Sequence, residues 1–329
     1  MLSGAAGLDL AAARVYTVPL RTRFRGITER EGMVVHGPGG WGEFSPFPEY
    51  DDAESASWLA AAIEQATGAW PPPVRDQVPV NCIVPALDPA RAHDVAARAG
   101  CRTAKVKVAD HPRSLPDDLA RVEAVRSALG PAGAVRVDAN GAWDVDTAVA
   151  TIRELDRAAG GLEYVEQPCR AVDELAAVRR RVGVRIAADE SVRRADDPLR
   201  VALAAAADVV VLKCAPLGGV RRALRVAEAV GLPCVVSSAL ETSVGLAAEL
   251  ALAAALPELG FACGLDTLSL LDGDLVPGPA ALRPVGGVLA VPHTLPTPDP
   301  ALLDRFAPVD RARTLWWHTR LARVATLKR

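Results

Sequence analysis

From about residue 79 to residue 263 the sequence alternates short apolar runs of β-forming residues with Ala-rich stretches of helical period, and this alternation narrows the possible folds more than any other feature. The strand candidates are VNCIVPAL, TAKVKVAD, AVRVDAN, LEYVEQP, VRIAADES, DVVVLKC, PCVVSSAL and FACG. Between them lie segments such as PDDLARVEAVRSALG and DVDTAVATIRELDRAAGG. These are apolar at three- and four-residue intervals and end in Gly, the pattern of an amphipathic helix with a glycine stop. Landmark residues at 105, 138, 166, 189, 213, 237 and 263 lie 23–33 residues apart, room for one strand, one loop and one helix each. Eight such units with nearly continuous apolar strands predict an α/β fold, a (β/α)8-type parallel barrel, because strands buried on both faces carry no polar alternation. The alternative is a doubly wound sheet, but no GxGxxG opens a helix after any of these strands.

The residues before this repeat read differently. ARVYTVPL and GITEREGMVVHGPGGWGEFSPF read as two or three strands with a hairpin at HGPGG. SASWLAAAIEQATGAW reads as a helix closed by Pro71, Pro72 and Pro73. The chain is thus expected to divide into an α+β amino-terminal capping domain, 1–78, and a catalytic barrel, 79–272. The tail, 273–329, begins with the Pro- and Gly-rich GDLVPGPAALRPVGGVLAVP and is expected to pack partly on the first module, its RTLWW aromatics pointing to docking.

Composition removes several functions. Of 329 residues, 50% are hydrophobic and 23% charged, as in a globular protein. A net charge of −3 argues against nucleic acid or a membrane surface as partner, since both attract a basic field. No run reaches the roughly 18 uninterrupted apolar residues of a membrane span; the richest stretch, 244–256, carries Glu249. The amino terminus has no basic region ahead of an apolar core, so the expected setting is cytoplasmic, and no protein partner is evident. Cys82, Cys101, Cys169, Cys214, Cys234 and Cys263 stand singly, without CxxC pairs or neighbouring His clusters. They read as small buried hydrophobes rather than a zinc site or a disulfide framework.

Of 37 basic residues only four are Lys: Lys105, Lys107, Lys213 and Lys328. A chain that uses Arg for almost every cation yet keeps Lys inside apolar segments (AKVKV, VVVLKC) needs there something Arg cannot do. Arg stays protonated in proteins, whereas a Lys ammonium can be tuned to exchange protons.

Three acids close consecutive strands: Asp138 in VRVDAN, Glu166 in EYVEQP and Asp189 in IAADES. A single strand-end acid is usually a helix cap. Three at matching spacing converge on the carboxyl-terminal face of a barrel, where such folds place their active sites. Their mutual repulsion calls for a divalent cation, and an all-oxygen set favours Mg²⁺, or Mn²⁺, over zinc. Lys105 and Lys107 share one strand face, and Lys213 stands roughly across the barrel. Adjacent ammonium groups lower each other's proton affinity, which suits Lys107 to act as a base. A cation on a carboxylate and a lysine at the neighbouring carbon suit proton abstraction α to that carboxylate.

KVK at 105–107, Asp138 in DAN, Glu166 in EQP, Asp189-Glu190-Ser191 and Lys213 together resemble the muconate-lactonizing subgroup of the enolase superfamily, over essentially the whole chain. GWGEFSPFPEY at 40–50 and SSALETSVG at 237–245 are similar to the branch, particularly its actinobacterial type, that forms o-succinylbenzoate in menaquinone biosynthesis. The resemblance implies a small-molecule carboxylate substrate, a hydroxylated cyclohexadiene bearing a succinyl chain, which loses water. It implies Lys107 as the base, Lys105 as its tuner and Lys213 as the opposing cation. Asp138, Glu166 and Asp189 become metal ligands, with Glu190 and Asn140 behind them. Arg136, Ser237, Ser238 and Gly264 become substrate-binding positions, and the capping module, with its loop at 21–26, a lid. The same set of residues serves N-acylamino acid racemases, dipeptide epimerases and cycloisomerases. Cys263-Gly264-Leu265-Asp266 lacks the Asp-x-Asp pair usual in dipeptide epimerases after the eighth strand. A non-catalytic binding barrel is the rival from another class.

Overall fold

The computed structural model describes residues 8–68, 70–194, 197 and 199–327; Lys328 lies outside them. The amino-terminal module begins with three antiparallel strands, β1 (Arg14–Phe24), β2 (Ile27–Gly37) and β3 (Gly40–Phe44). β1 and β2 turn through Arg25 and Gly26, both at positive φ, and the β2–β3 hairpin falls at HGPGG, with His36 opposite Trp41. Helix α1 (Asp52–Thr67) crosses this sheet. It starts ahead of the SASW segment because the Asp51 side chain accepts the Glu54 N–H at 2.7 Å and fixes the first turn there. Gly42 lets the helix touch the sheet, for a β-carbon at that position would stand 2.0 Å from the Ala62 carbonyl oxygen.

β4 (Gln77–Pro79) leads into the barrel. Seven parallel strands follow in sequential order: β5 (Cys82–Val84), β6 (Thr103–Lys107), β7 (Ala134–Asp138), β8 (Tyr164–Glu166), β9 (Ile186–Ala188), β10 (Val209–Leu212) and β11 (Cys234–Val236). The intervening helices are α2 (Pro89–Arg98), α3 (Leu115–Leu129), α4 (Val145–Ala159), α5 (Val172–Arg179), α6 (Glu190–Arg193), α7 (Arg200–Leu203), α8 (Cys214–Leu217), α9 (Val220–Val230) and α10 (Ser243–Ala255). FACG closes the ring as a minimal eighth strand: Cys263 bridges Val80 and Gly264 bridges Ser237, both in parallel sense. Among the described residues no α-helix follows it directly. A 3-10 turn, Asp266–Leu270, sends the chain back, and the Asp272 N–H donates to the Pro19 carbonyl of β1 at 2.8 Å.

The tail divides between two surfaces. β12 (Val288–Ala290) pairs antiparallel with β4, so this part of the Pro- and Gly-rich stretch satisfies a strand edge where the first module meets the barrel. After α11 (Pro300–Arg305), α12 (Arg311–Thr326) docks on the module. There Trp317 is fully buried edge-on to Phe44 at 6.2 Å, and Arg320 donates to the Phe47 and Tyr50 carbonyls at 3.0 and 2.6 Å. All six cysteines are buried and free. Among the described residues no helix is long and apolar enough to cross a membrane.

Candidate active site

The parallel register builds the site directly. Lys107 ends β6 opposite Asp138, which ends β7 opposite Glu166, which ends β8. Asp189 follows β9 two residues after the partner of Glu166, Ala187, on the same face. Because the strand ends are neighbours, the acids form one row, each 1% exposed. Lys105 Nζ lies between Asp138 and Glu166, donating to them at 3.1 and 2.7 Å. Lys107 Nζ donates to Asp138 Oδ2 at 2.5 Å and to Asn140 Oδ1 at 2.7 Å. Lys213, just after β10, donates from the other end of the row to Asp189 Oδ2 at 2.7 Å.

Burial would raise both aspartates, but neighbouring cations win. Lys105 and Lys107 hold Asp138 well below the usual carboxylate range, and Arg193 with Lys213 does the same for Asp189. Glu166 goes the other way, pushed up to about 7 by burial and then by the Asp138 charge. Burial lowers Lys107 below an ordinary lysine, with Lys105 adding to that effect and Asp138 opposing it. Lys105 is raised, since Asp138 and Glu166 outweigh its burial.

A cavity of about 40 Å³ is bordered by Lys105, Lys107, Asp138, Asp189, Lys213, Ser237 and Ser238, and roofed from the capping module by Phe24, Arg25 and Phe47. A wider cleft of about 1030 Å³ adjoins it, sharing Phe24, Arg25, Lys107 and Asn140 and adding Glu190. The expected 21–26 loop is mostly strand, since β1 runs to Phe24, and it is Phe24 and the turn residue Arg25 that border both spaces.

As placed, among the described residues, no three His, Cys, Asp or Glu side chains form a group able to hold a metal ion, because lysines and Arg193 take the facing oxygens. The donor set nevertheless fits a hard divalent cation in its chemistry. It is all carboxylate, Glu166 is raised by burial and then by the Asp138 charge, and Glu190 Oε2 is buried with no partner.

Not every anticipated residue arrives. Arg136 is fully buried beside Lys105 in register, donates to Glu163, Asn81 and the Ala262 carbonyl, and lies over the Tyr164 ring at 4.6 Å. It borders neither cavity and lies as a cation in the barrel interior. Gly264 likewise borders neither cavity. It closes the barrel against Ser237, whose Oγ a β-carbon there would meet at 2.5 Å. Ser237 and Ser238 do border the smaller cavity, though the Ser238 hydroxyl donates to Glu241 Oε2 at 2.5 Å. Asn140 Nδ2 meets Glu190 Oε1 at 3.3 Å.

The structure adds residues the sequence reading did not single out. Arg193 donates to Asp189 Oδ1 at 2.9 Å and Glu190 Oε1 at 2.7 Å; its place four residues after Asp189 at the head of a helix was a usable signal. Gln167 accepts the Asp189 and Ser191 N–H groups on Oε1, fixing the turn that presents Asp189. Glu249 accepts the Cys214 N–H at 2.7 and 2.9 Å, holding the peptide next to Lys213.

The chain matches the enolase C-terminal domain-like family over residues 89–296 and the enolase N-terminal domain-like family over 15–66. It is 67% identical over 278 residues to the o-succinylbenzoate synthase of Thermobifida fusca, covering 84% of this chain and 86% of that one. It is 54% identical over 318 residues to the o-succinylbenzoate synthase of Mycobacterium tuberculosis, covering 95% and 94%. The fold is similar to that of muconate lactonizing enzyme from Pseudomonas fluorescens complexed with muconolactone, with TM-score 0.75, 23% identity and 93% and 100% of the two chains covered. The L-Ala-D/L-Glu epimerase of Bacillus subtilis gives TM-score 0.74 at 23% identity, covering 88% and 96%. The capped barrel is thus that of an enolase-superfamily enzyme, a fold shared by cycloisomerases and epimerases. Within that superfamily the chain belongs to the o-succinylbenzoate synthase family.

Proposed function

We propose that this enzyme converts a hydroxycyclohexadiene carboxylate bearing a succinyl chain into o-succinylbenzoate and water, in the cytoplasm, as a step of menaquinone biosynthesis. Supporting this reading is one observation above the others: a row of three buried carboxylates approached by Lys107 from one end and Lys213 from the other. Lys107 in its neutral form takes the proton α to the ring carboxylate, and burial together with the charge of Lys105 favours that form. The electron pair passes into an enediolate, which the Lys213 ammonium stabilises without transferring a proton. Lys107 then returns its proton to the departing hydroxyl, which leaves as water while the ring becomes aromatic.

Asp138, Glu166 and Asp189 are the residues that would hold a divalent cation, Mg²⁺ or alternatively Mn²⁺, with Glu190 and Asn140 behind them. When bound, it supplies Lewis-acid stabilisation of charge on the substrate carboxylate. Ser237 and Ser238 face the substrate from the β11 side, and Phe24, Arg25 and Phe47 exclude water from above.

The rival reading within the superfamily is racemisation of an N-acylamino acid, with Lys107 and Lys213 as bases on opposite faces. Two assays of one preparation separate them: dehydration of the cyclohexadiene substrate, followed by the change in absorbance, and α-deuterium exchange into an N-succinylamino acid in heavy water. Dehydration is the expected dominant activity. Fast exchange of both enantiomers without dehydration would overturn the proposal.

A further inference from the structure

We infer that the phenol of Tyr50 is a positioning group of the active site, tying the capping module to the Asp189 carboxylate through Arg193. Tyr50 ends the GWGEFSPFPEY segment just ahead of α1 and is 5% exposed. Its ring meets Phe47 and Trp58 edge-on at 5.5 and 6.2 Å, which fixes the direction of its hydroxyl. That oxygen accepts from Arg193 Nη1 at 3.0 Å and from Arg25 Nη2 at 2.8 Å. Tyr50 itself borders neither cavity, so it acts on the site only through these two arginines.

Both arginines matter to the site. Arg193 is buried, and its planar fork has one edge on Tyr50 and the others on Asp189 Oδ1 and Glu190 Oε1. A guanidinium has all its donors in one rigid plane, so fixing one donor aims the rest. Lys213 holds the other oxygen of Asp189, leaving the orientation of that carboxylate to Arg193 and Lys213 together. Arg25 sits at the β1–β2 turn at positive φ, stacks on Phe47 at 4.0 Å and borders both cavities. One phenol oxygen therefore holds a residue of the capping loop and the cation that aims an acid of the row. Without that acceptor, Arg193 Nη1 is left buried and unpaired, an expensive state that a small rotation relieves by swinging the fork off Asp189. The same loss removes one partner of Arg25, which keeps its stacking on Phe47.

This inference rests on the assignment of Asp189 as a metal ligand. The experiment compares the full-length wild type with Tyr50→Phe, which keeps the ring packing and removes only the acceptor. Mg²⁺ is titrated against melting temperature without substrate, and kcat and KM are measured at several Mg²⁺ concentrations. Partners that orient metal ligands typically govern affinity by 10- to 100-fold, so the Mg²⁺ midpoint of Tyr50→Phe is expected to rise about that much. Saturating Mg²⁺ restores most of kcat, while KM for the cyclohexadiene substrate stays raised because Arg25 has lost its bond to the phenol. A purely structural role would lower the metal-free melting temperature and leave the Mg²⁺ midpoint unmoved. Should Tyr50→Phe not fold, Arg193→Lys, which keeps the charge and loses the fork, is expected to shift the midpoint the same way. A wild type that responds to Mg²⁺ beside variants that respond equally sinks the role of Tyr50 alone. A wild type whose melting ignores Mg²⁺ sinks the metal assignment and the inference with it.

Discussion

The carboxylate of Glu43, on β3 of the capping module, accepts both the backbone N–H and the hydroxyl of Thr242, the cap of barrel helix α10, at 3.2 and 2.5 Å. Tyr16, Ser45 and the Gly245 N–H donate to the same carboxylate at 2.6, 3.0 and 3.0 Å. A negative group at the start of a helix also meets the positive end of its dipole. Arg30 joins the grip by donating to the Leu240 carbonyl at 3.2 Å. The segment 237–242, which carries Ser237 and Ser238, is thus held from the other module.

Glu43→Gln leaves one of these donors facing an amide N–H₂ inside a buried pocket. A loss of about 1–3 kcal/mol in unfolding free energy is expected from one buried unsatisfied group. Urea denaturation checks it, and an unchanged midpoint would show that the clamp contributes no stability.

Lys107→Ala and Lys213→Ala are each expected to lower turnover by about 10²–10⁴-fold or more, since each removes a group that acts in the transition state. Near-UV circular dichroism should remain that of the parent. Undiminished turnover in either variant refutes the role assigned to that lysine.

Removal of the divalent cation by a chelator is expected to abolish dehydration, and Mg²⁺ to restore it. A ligand at one hundred times its dissociation constant stabilises the folded state by about 2.7 kcal/mol. The melting temperature should rise accordingly on adding Mg²⁺, and equal melting with and without it would contradict the assignment of Asp138, Glu166 and Asp189.

Asp266 provides a pH dependence away from the acid row. Burial pushes its carboxyl up to about 7, against the opposing effects of Arg283 and Ser269. Its folded-state value lies above the ordinary 3.8, so the folded chain holds this proton more tightly than the unfolded one. This contribution favours folding below about pH 4, fades as pH rises towards 7 and is gone above it. Asp266→Asn, which cannot ionise, is expected to be more stable than the parent at pH 8 by about 1–3 kcal/mol, and to lose that advantage at pH 4. Denaturation curves at the two pH values test it; the same difference at both would exclude ionisation as the cause.

Strand period and the spacing of acids and lysines were legible in the sequence because a parallel barrel converts chain position into angular position at one rim. Face and depth are different matters. The two-residue period puts Arg136 on the face of Asp138, but two residues lower, about 6–7 Å down the barrel. There it meets Asn81 and the Ala262 carbonyl instead of the cavity. Gly264 shows a related limit: FACG is legible as a strand, but its closeness to Ser237 depends on how the ring closes.

By itself the sequence determined the barrel, the capping module, and the acids and lysines at the strand ends, since these follow from local period and composition. Only the tertiary structure decided what aims them. Tyr50 and Arg193 stand 143 residues apart, and Glu43 and Thr242 stand 199 apart. No local pattern encodes such pairs, because their bonds exist only once the capping module is seated on the barrel and water has been excluded between them.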